Sequence, residues 1–341
     1  MAPALTRRGF CTSLGQFLTA AAYAQTPWTP RRIDVHHHIL PPAYLSAIGT
    51  AAIGAACGSP TAPAWTIQAS LDMMDHLNIG TAITSLSSPG IRLPDLRSVQ
   101  RIARLCNDFA KQMSADHPTR FGMFAFLPLP DIPASLEEVR YALDELKADG
   151  IGLHTNYQDR YLGDPQFGPL FEELNRRKAV VHVHPTICQC MLGVQPDIPP
   201  ALIEFPQDTA RTIASLLYNG VFARHPEIRF IFSHAGGTLL SLINKIGSNA
   251  AFVSRLGPGG WRPIIQRLYY DTALSGNPQS LGTLLGLVGP TRVLLGTDYP
   301  FVSEARAKAE IEGIQTVSLP AGDLTSIHRG NAVSLFPRLA P

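Results

Sequence analysis

With 341 residues, the chain has room for one large domain or two of average size, and 45% apolar residues can bury a sizeable core. A formal charge of +2, with no basic run, excludes a general attraction to nucleic acid or to anionic lipid. Any specificity for an anion has to be local.

The first two dozen residues stand apart. Thr6-Arg7-Arg8-Gly9-Phe10 is a twin-arginine pattern, a weakly apolar stretch from Cys11 to Ala22 follows, and Ala22-Tyr23-Ala24 supplies a small-x-small cleavage signal. The segment is too short and too polar to span a membrane. Residues 1–24 are therefore expected to be a Tat-type export signal, with a periplasmic or secreted mature protein starting near Gln25; a cytoplasmic chain is the alternative. Cys11 would leave with the signal. Cys57, Cys106, Cys188 and Cys190 remain, and Cys188-Gln-Cys190 has the wrong spacing for a zinc knuckle.

Eight short apolar runs recur after that: Ile33–His38, Thr81–Leu86, Gly122–Leu127, Gly152–Thr155, Ala179–His184, Arg229–His234, Leu268–Thr272 and Val293–Asp298. Most are nearly continuous in apolar residues, as strands buried on both faces are. Helical periodicity fills the gaps, over Asp95–His117, Ser135–Ala148, Phe167–Arg177, Asp208–Arg224, Thr238–Ser254, Pro278–Val288, Glu304–Val317 and Leu324–Leu335. Gly49–Thr66, rich in Ala, Gly and Pro, reads as a loop. Such alternation over residues 30–341 predicts one α/β domain, a (β/α)8 barrel of the TIM type.

The chemistry collects at strand ends. His36 and His38 share one face of the first strand, while His37 points the other way, towards the helices. His184 ends the fifth strand and Asp298 the eighth. Three neutral imidazoles and a carboxylate suit one divalent ion, Zn2+ first and Mn2+ second. Burying four such groups without a partner costs about 1–3 kcal/mol each, which argues against a purely structural cluster. His234, in Ser233-His234-Ala235-Gly236-Gly237, brings an extra imidazole to the same mouth, where it can act as general acid or base with Asp298 sharing the proton. Gly236-Gly237 would let a substrate approach the backbone there. His182, one layer deeper than His184, reads as core filling or as a donor to a ligand. His154, Thr155 and Tyr157 follow the fourth strand, where they could touch substrate. His76, His117 and His225 read as surface residues.

These residues make the chain resemble the amidohydrolase superfamily, in particular the branch of aminocarboxymuconate-semialdehyde decarboxylase and 6-methylsalicylate decarboxylase. The resemblance rests on Ile33-Asp-Val-His-His-His-Ile-Leu-Pro-Pro42, Val181-His-Val-His-Pro185, Phe232-Ser-His-Ala-Gly-Gly237 and Leu295-Gly-Thr-Asp-Tyr-Pro-Phe301. It implies a single metal on His36, His38, His184 and Asp298, a catalytic His234, and a homodimer or higher assembly. Binuclear members carry a modified Lys at the end of strand four; here that strand ends Leu153-His154-Thr155, which favours one metal. At Lys245 the semialdehyde decarboxylase has an Arg that reaches the neighbouring subunit's substrate. Lys keeps the charge but not the planar fork. The expected activity is non-oxidative decarboxylation of a small aromatic or unsaturated carboxylic acid of salicylate type, with metal-dependent hydrolysis of a lactone, ester or amide as the alternative.

Overall fold

In a computed structural model, the structure describes residues 31–186, 188, 191, 197–256 and 259–340. The expected export signal and Cys190 lie outside these residues. Each of the apolar runs contributes a parallel strand. They are β1 (Arg32–His38), β2 (Ile79–Ser85), β3 (Phe121–Phe126), β4 (Gly150–His154), β7 (Val180–His184), β8 (Arg229–Phe232), β9 (Tyr269–Asp271) and β10 (Val293–Leu294). A two-stranded hairpin, β5 (Asn156–Tyr157) with β6 (Arg160–Tyr161), sits above the end of β4.

The sheet order is β1-β2-β3-β4-β7-β8-β9-β10. Segment 295–299 then closes the ring on β1. Val35 N–H donates to the Leu295 carbonyl at 2.9 Å, Asp298 N–H to that of His36 at 2.7 Å, and His38 N–H to that of Tyr299 at 2.7 Å. Strands β1, β3, β4 and β7 are buried throughout, which is why their sequences run apolar instead of alternating. Helices start where the sequence caps them: Asp95, Asn277 and Ser303 each accept a backbone N–H from the first turn that follows. A deep apolar cluster of Ile33, Val35, Ile83, Phe124, Val180 and Leu294 packs against Ala332, Leu335, Phe336 and Leu339. The last residues of the chain thus seat beneath the site.

Some expectations change. Gly49–Thr66 is not all loop: Thr50–Ala56 forms a helix with Ile53 and Gly54 buried, because its run of alanines outweighs its glycine. Helix Ile67–His76 was not anticipated, and helix Pro200–Tyr218 begins well before Asp208. Strands β8 and β10 stop at Phe232 and Leu294, so His234 and Asp298 lie past the strands, in left-handed turns with φ of 53° and 61°. His225 is buried, with its ring against Phe171.

Candidate active site

His36 and His38 do project together from the end of β1, and their Nε2 atoms stand 3.0 Å apart. Asp298 Oδ1 lies 3.3 Å from the first and 3.0 Å from the second. His184 joins them, its ring 4.7 Å from that of His38, and the four donor atoms all lie within 4.8 Å of one another. His37 turns away, to Asp34 Oδ2 at 3.2 Å and Ser70 Oγ at 2.9 Å.

The donor set fits one divalent cation. Ligands about 2.1 Å from a common ion sit roughly 3.0–3.4 Å from each other. Asp298 Oδ1 is buried without a hydrogen-bond partner, which a carboxylate oxygen facing a cation does not need. The tautomers fit as well. His36 Nδ1 faces Asp271 Oδ2 at 2.9 Å, His184 Nδ1 the Pro185 carbonyl at 2.8 Å, and His38 Nδ1 the Ser85 carbonyl at 3.3 Å and its Oγ at 3.1 Å. Carboxylates and carbonyls only accept, so each Nδ1 carries the proton and each Nε2 turns a lone pair inward.

The electrostatics follow. Burial pushes His38 down to about 4 and holds His184 well below the usual range, so both rings stay neutral. Burial also opposes the charge on His36, but Asp271 and Asp298 outweigh it and lift it to about 10. Without a metal, a proton serves as the cation there. Burial likewise opposes the charges of Asp271 and Asp298, yet His36 beside them keeps both ionised, well below the carboxylate range.

His234 faces this cluster from one side. Its Nδ1 lies 3.0 Å from the Ala273 carbonyl, and its Nε2 lies 4.0 Å from Asp298 Oδ2. Residues 234–237 all have positive φ. Gly237 is needed for close packing: a Cβ there would stand 2.2 Å from the Pro206 carbonyl oxygen. The near neighbour of that backbone is therefore helix Pro200–Tyr218, where a substrate was expected. Asp298 is held in its turn by Asp34, whose carboxylate accepts Thr297 N–H at 3.1 Å, Thr297 Oγ1 at 2.6 Å and His36 N–H at 3.0 Å.

A cavity of about 730 Å3 opens onto His184, His234 and Asp298, within the usual ~300–1,000 Å3 of small-ligand pockets. Phe205, Leu202, Leu274 and Phe301 give it apolar walls, and Arg306 lies at its edge, paired with Glu310 at 2.6 Å.

Residues 33–338 match the amidohydrolase family. The chain belongs to that family. Decarboxylase yanB of Aspergillus niger is 38% identical to this amidohydrolase over 327 residues, which is 90% of this chain and 88% of that protein. The 6-methylsalicylic acid decarboxylase of Penicillium expansum is 33% identical over 318 residues, covering 90% and 97%. A crystal structure of 2,6-dihydroxybenzoate decarboxylase from Rhizobium matches with a TM-score of 0.75 at 25% identity, over 91% of this chain and 99% of that one.

Three expected substrate contacts are not brought to the metal-facing cavity of this amidohydrolase. Lys245 is exposed on helix Leu239–Gly247 and does not line it. His154 and Tyr157 line a second cavity of about 450 Å3, together with Arg92 and Phe126. Tyr157 Oη accepts the His154 N–H at 2.9 Å, and Thr155 instead bonds to the buried Asp208. His182 lies under the cluster, stacked on Phe124 and 3.3 Å from Asp271 Oδ2. Asp271 and Asp34 went unnoticed in the sequence. The available signal was an acidic residue inside a strand, Asp34 two positions before His36 and Asp271 after two tyrosines.

Proposed function

We infer that this amidohydrolase is a metal-dependent carboxy-lyase, removing CO2 without oxidation from a small aromatic or unsaturated carboxylic acid of salicylate type. One geometric observation carries the reading. His234 Nε2 lies 4.0 Å from the outer oxygen of Asp298, whose inner oxygen faces His36 and His38. A proton carrier therefore borders the cation site inside a cavity with apolar walls. The choice of decarboxylation over hydrolysis is supported by relatives named as decarboxylases along nearly their whole length.

His36, His38, His184 and Asp298 would hold the ion, with Zn2+ proposed for a set of three imidazoles and a carboxylate and Mn2+ the other outcome of metal analysis. When bound, the ion supplies Lewis-acid charge that holds the substrate's carboxylate or adjacent hydroxyl oxygen. His234 holds a proton at Nε2 and delivers it to the ring carbon bearing the carboxylate, while Nδ1–H stays anchored on Ala273. The new C–H bond breaks the ring's conjugation. The bond to the carboxylate then breaks, its electron pair returns to the ring, and CO2 leaves. Asp298 Oδ2 stabilises the charged imidazolium, and His234 takes its next proton from solvent. Phe205, Leu202 and Phe301 keep the ring between apolar faces.

The test is a panel of hydroxybenzoates and lactones with CO2 release as the readout. Release from at least one hydroxybenzoate is expected. Cleavage of a lactone or ester with no CO2 from any acid would make the enzyme a hydrolase instead.

We further propose that residues 1–24 direct export by the twin-arginine route, which suits an enzyme that folds around its metal before crossing. N-terminal sequencing of the periplasmic fraction should start at Gln25. A homodimer is proposed too, with the exposed Lys245 reaching a neighbouring subunit's substrate. Sedimentation at a monomer's mass would remove that role.

A further inference from the structure

Asp271, at the end of β9, is fully buried, and both its oxygens are used twice. Oδ2 faces His36 Nδ1 at 2.9 Å and His182 Nε2 at 3.3 Å. Oδ1 accepts the backbone N–H of His234 at 3.0 Å and of Ala273 at 3.1 Å. The other three imidazoles of the site, His38, His184 and His234, each rest Nδ1 on a backbone carbonyl. Among these four, His36 alone has a carboxylate there.

We propose that Asp271 is a positioning residue that does two things with one carboxylate: it fixes the tautomer that makes His36 a ligand, and it pins the left-handed turn that aims His234. The first follows from donor counting. An ionised carboxylate accepts only, so His36 must keep its proton on Nδ1 and present a bare Nε2 to the ion. The second follows from where the other oxygen goes. His234 has a φ of 53°, a conformation costing roughly 1–3 kcal/mol for a non-glycine residue, and its N–H is held by Oδ1 alone. Ala273 supplies both an N–H to Oδ1 and the carbonyl under His234 Nδ1, so the ring and the backbone of His234 lean on the same short segment. Turning the carboxylate breaks both supports together.

Asparagine separates the two oxygens' roles. With its oxygen kept on the two backbone N–H groups, its NH2 must face His36 Nδ1 and His182 Nε2. His36 then keeps a lone pair on Nδ1 and moves its proton to Nε2, against His38 and Asp298. The chain loses a ligand without losing a residue in the inner set.

The proposal rests on His36 being a metal ligand, so both are tested together. Metal affinity is measured by chelator competition on the full protein, as Asp271→Asn and as His36→Ala, with melting of the metal-free forms alongside. Asp271→Asn should bind metal 10–100-fold more weakly. At saturating metal it should keep kcat and KM near native, because the amide oxygen still holds the N–H groups of His234 and Ala273. Asp271→Ala, which removes that oxygen as well, should show a lower kcat with KM little changed, and a native kcat there overturns the pinning of the turn. Affinity within three-fold of native in Asp271→Asn, with His36→Ala impaired, overturns the role of Asp271. Native affinity in His36→Ala overturns the ligand assignment itself. If Asp271→Asn does not fold, long-range 15N–1H spectra of the native zinc-loaded protein decide: His36 should show a protonated Nδ1 and a metal-shifted Nε2, and an unprotonated Nδ1 overturns the proposal.

Discussion

His234 and Asp298 share a border across 4.0 Å but differ in what their loss removes. His234→Ala should leave metal content unchanged while kcat falls by roughly 10^2–10^4-fold, the usual worth of a positioned general acid. Asp298→Asn should lower metal content as well, because the orphaned Oδ1 has no other partner. Metal analysis beside single-turnover assays separates the two, and equal loss of metal in both would remove His234 from proton transfer. These residues were legible in the sequence because each follows an apolar strand and is an ion-binding or titrating type. Asp271 was not. Inside Leu268–Thr272 it reads as one acidic residue in a short strand, and only the folded chain shows that its oxygens reach β1 and the turn after β8. Its place at the end of the fourth strand made His154 a candidate substrate contact but could not say which of two cavities it lines.

At the scale of elements, the strands were readable because burial on both faces leaves little choice of residue. The turns after β8 and β10 were not, since left-handed backbone leaves a mark only where glycine supplies it. Gly237 is such a mark. Gly237→Ala would press a methyl into the Pro206 carbonyl oxygen, with φ already at 62°. A loss of about 1–3 kcal/mol by denaturant titration is expected, with a raised KM because helix Pro200–Tyr218 carries part of the cavity wall. Asp95→Ala makes the contrast. It removes a cap from helix Leu96–Asp116, where Asp95 accepts Ser98 N–H at 3.0 Å, and should cost about 1 kcal/mol with turnover unchanged. A loss of turnover there would mean that the helix bears on the site. The unforeseen helix Thr50–Ala56 shows how alanine with scattered Gly and Pro misleads: composition suggested a loop, while burial of Ile53 fixed a helix.

For the molecule as a whole, buried histidines set the acid limit. Burial lowers His154 and His328 to about 3 and His38 to about 4, against about 6.5 in the unfolded chain. A lowered folded value means that their contribution is complete above pH ~6.5 and drains away as the pH falls towards those values. The depressed carboxylate of Asp271 acts in the same direction at lower pH. His36 has the opposite sign: raised to about 10 in the metal-free protein, it stabilises below pH ~6.5 and stops doing so as the pH climbs through 10. Melting of the metal-free enzyme should therefore be steepest on the acid side. Added metal at 100 times its Kd should raise stability by about 2.7 kcal/mol at neutral pH, and less in acid as protons compete for the imidazoles. A melting temperature indifferent to pH between 4 and 7 would contradict this.

The ring is sealed by hydrogen bonds between β1 and residues 295–299, and the last helical turns sit under its first strand. His36 and Asp298, 262 positions apart along the chain, are thus neighbours only in the closed ring. A barrel open at that seam would hold the first two imidazoles together on one strand but lack the carboxylate that completes the set. Completing the donor set is thereby tied to closing the ring: the first and last strands must meet before all four donors do.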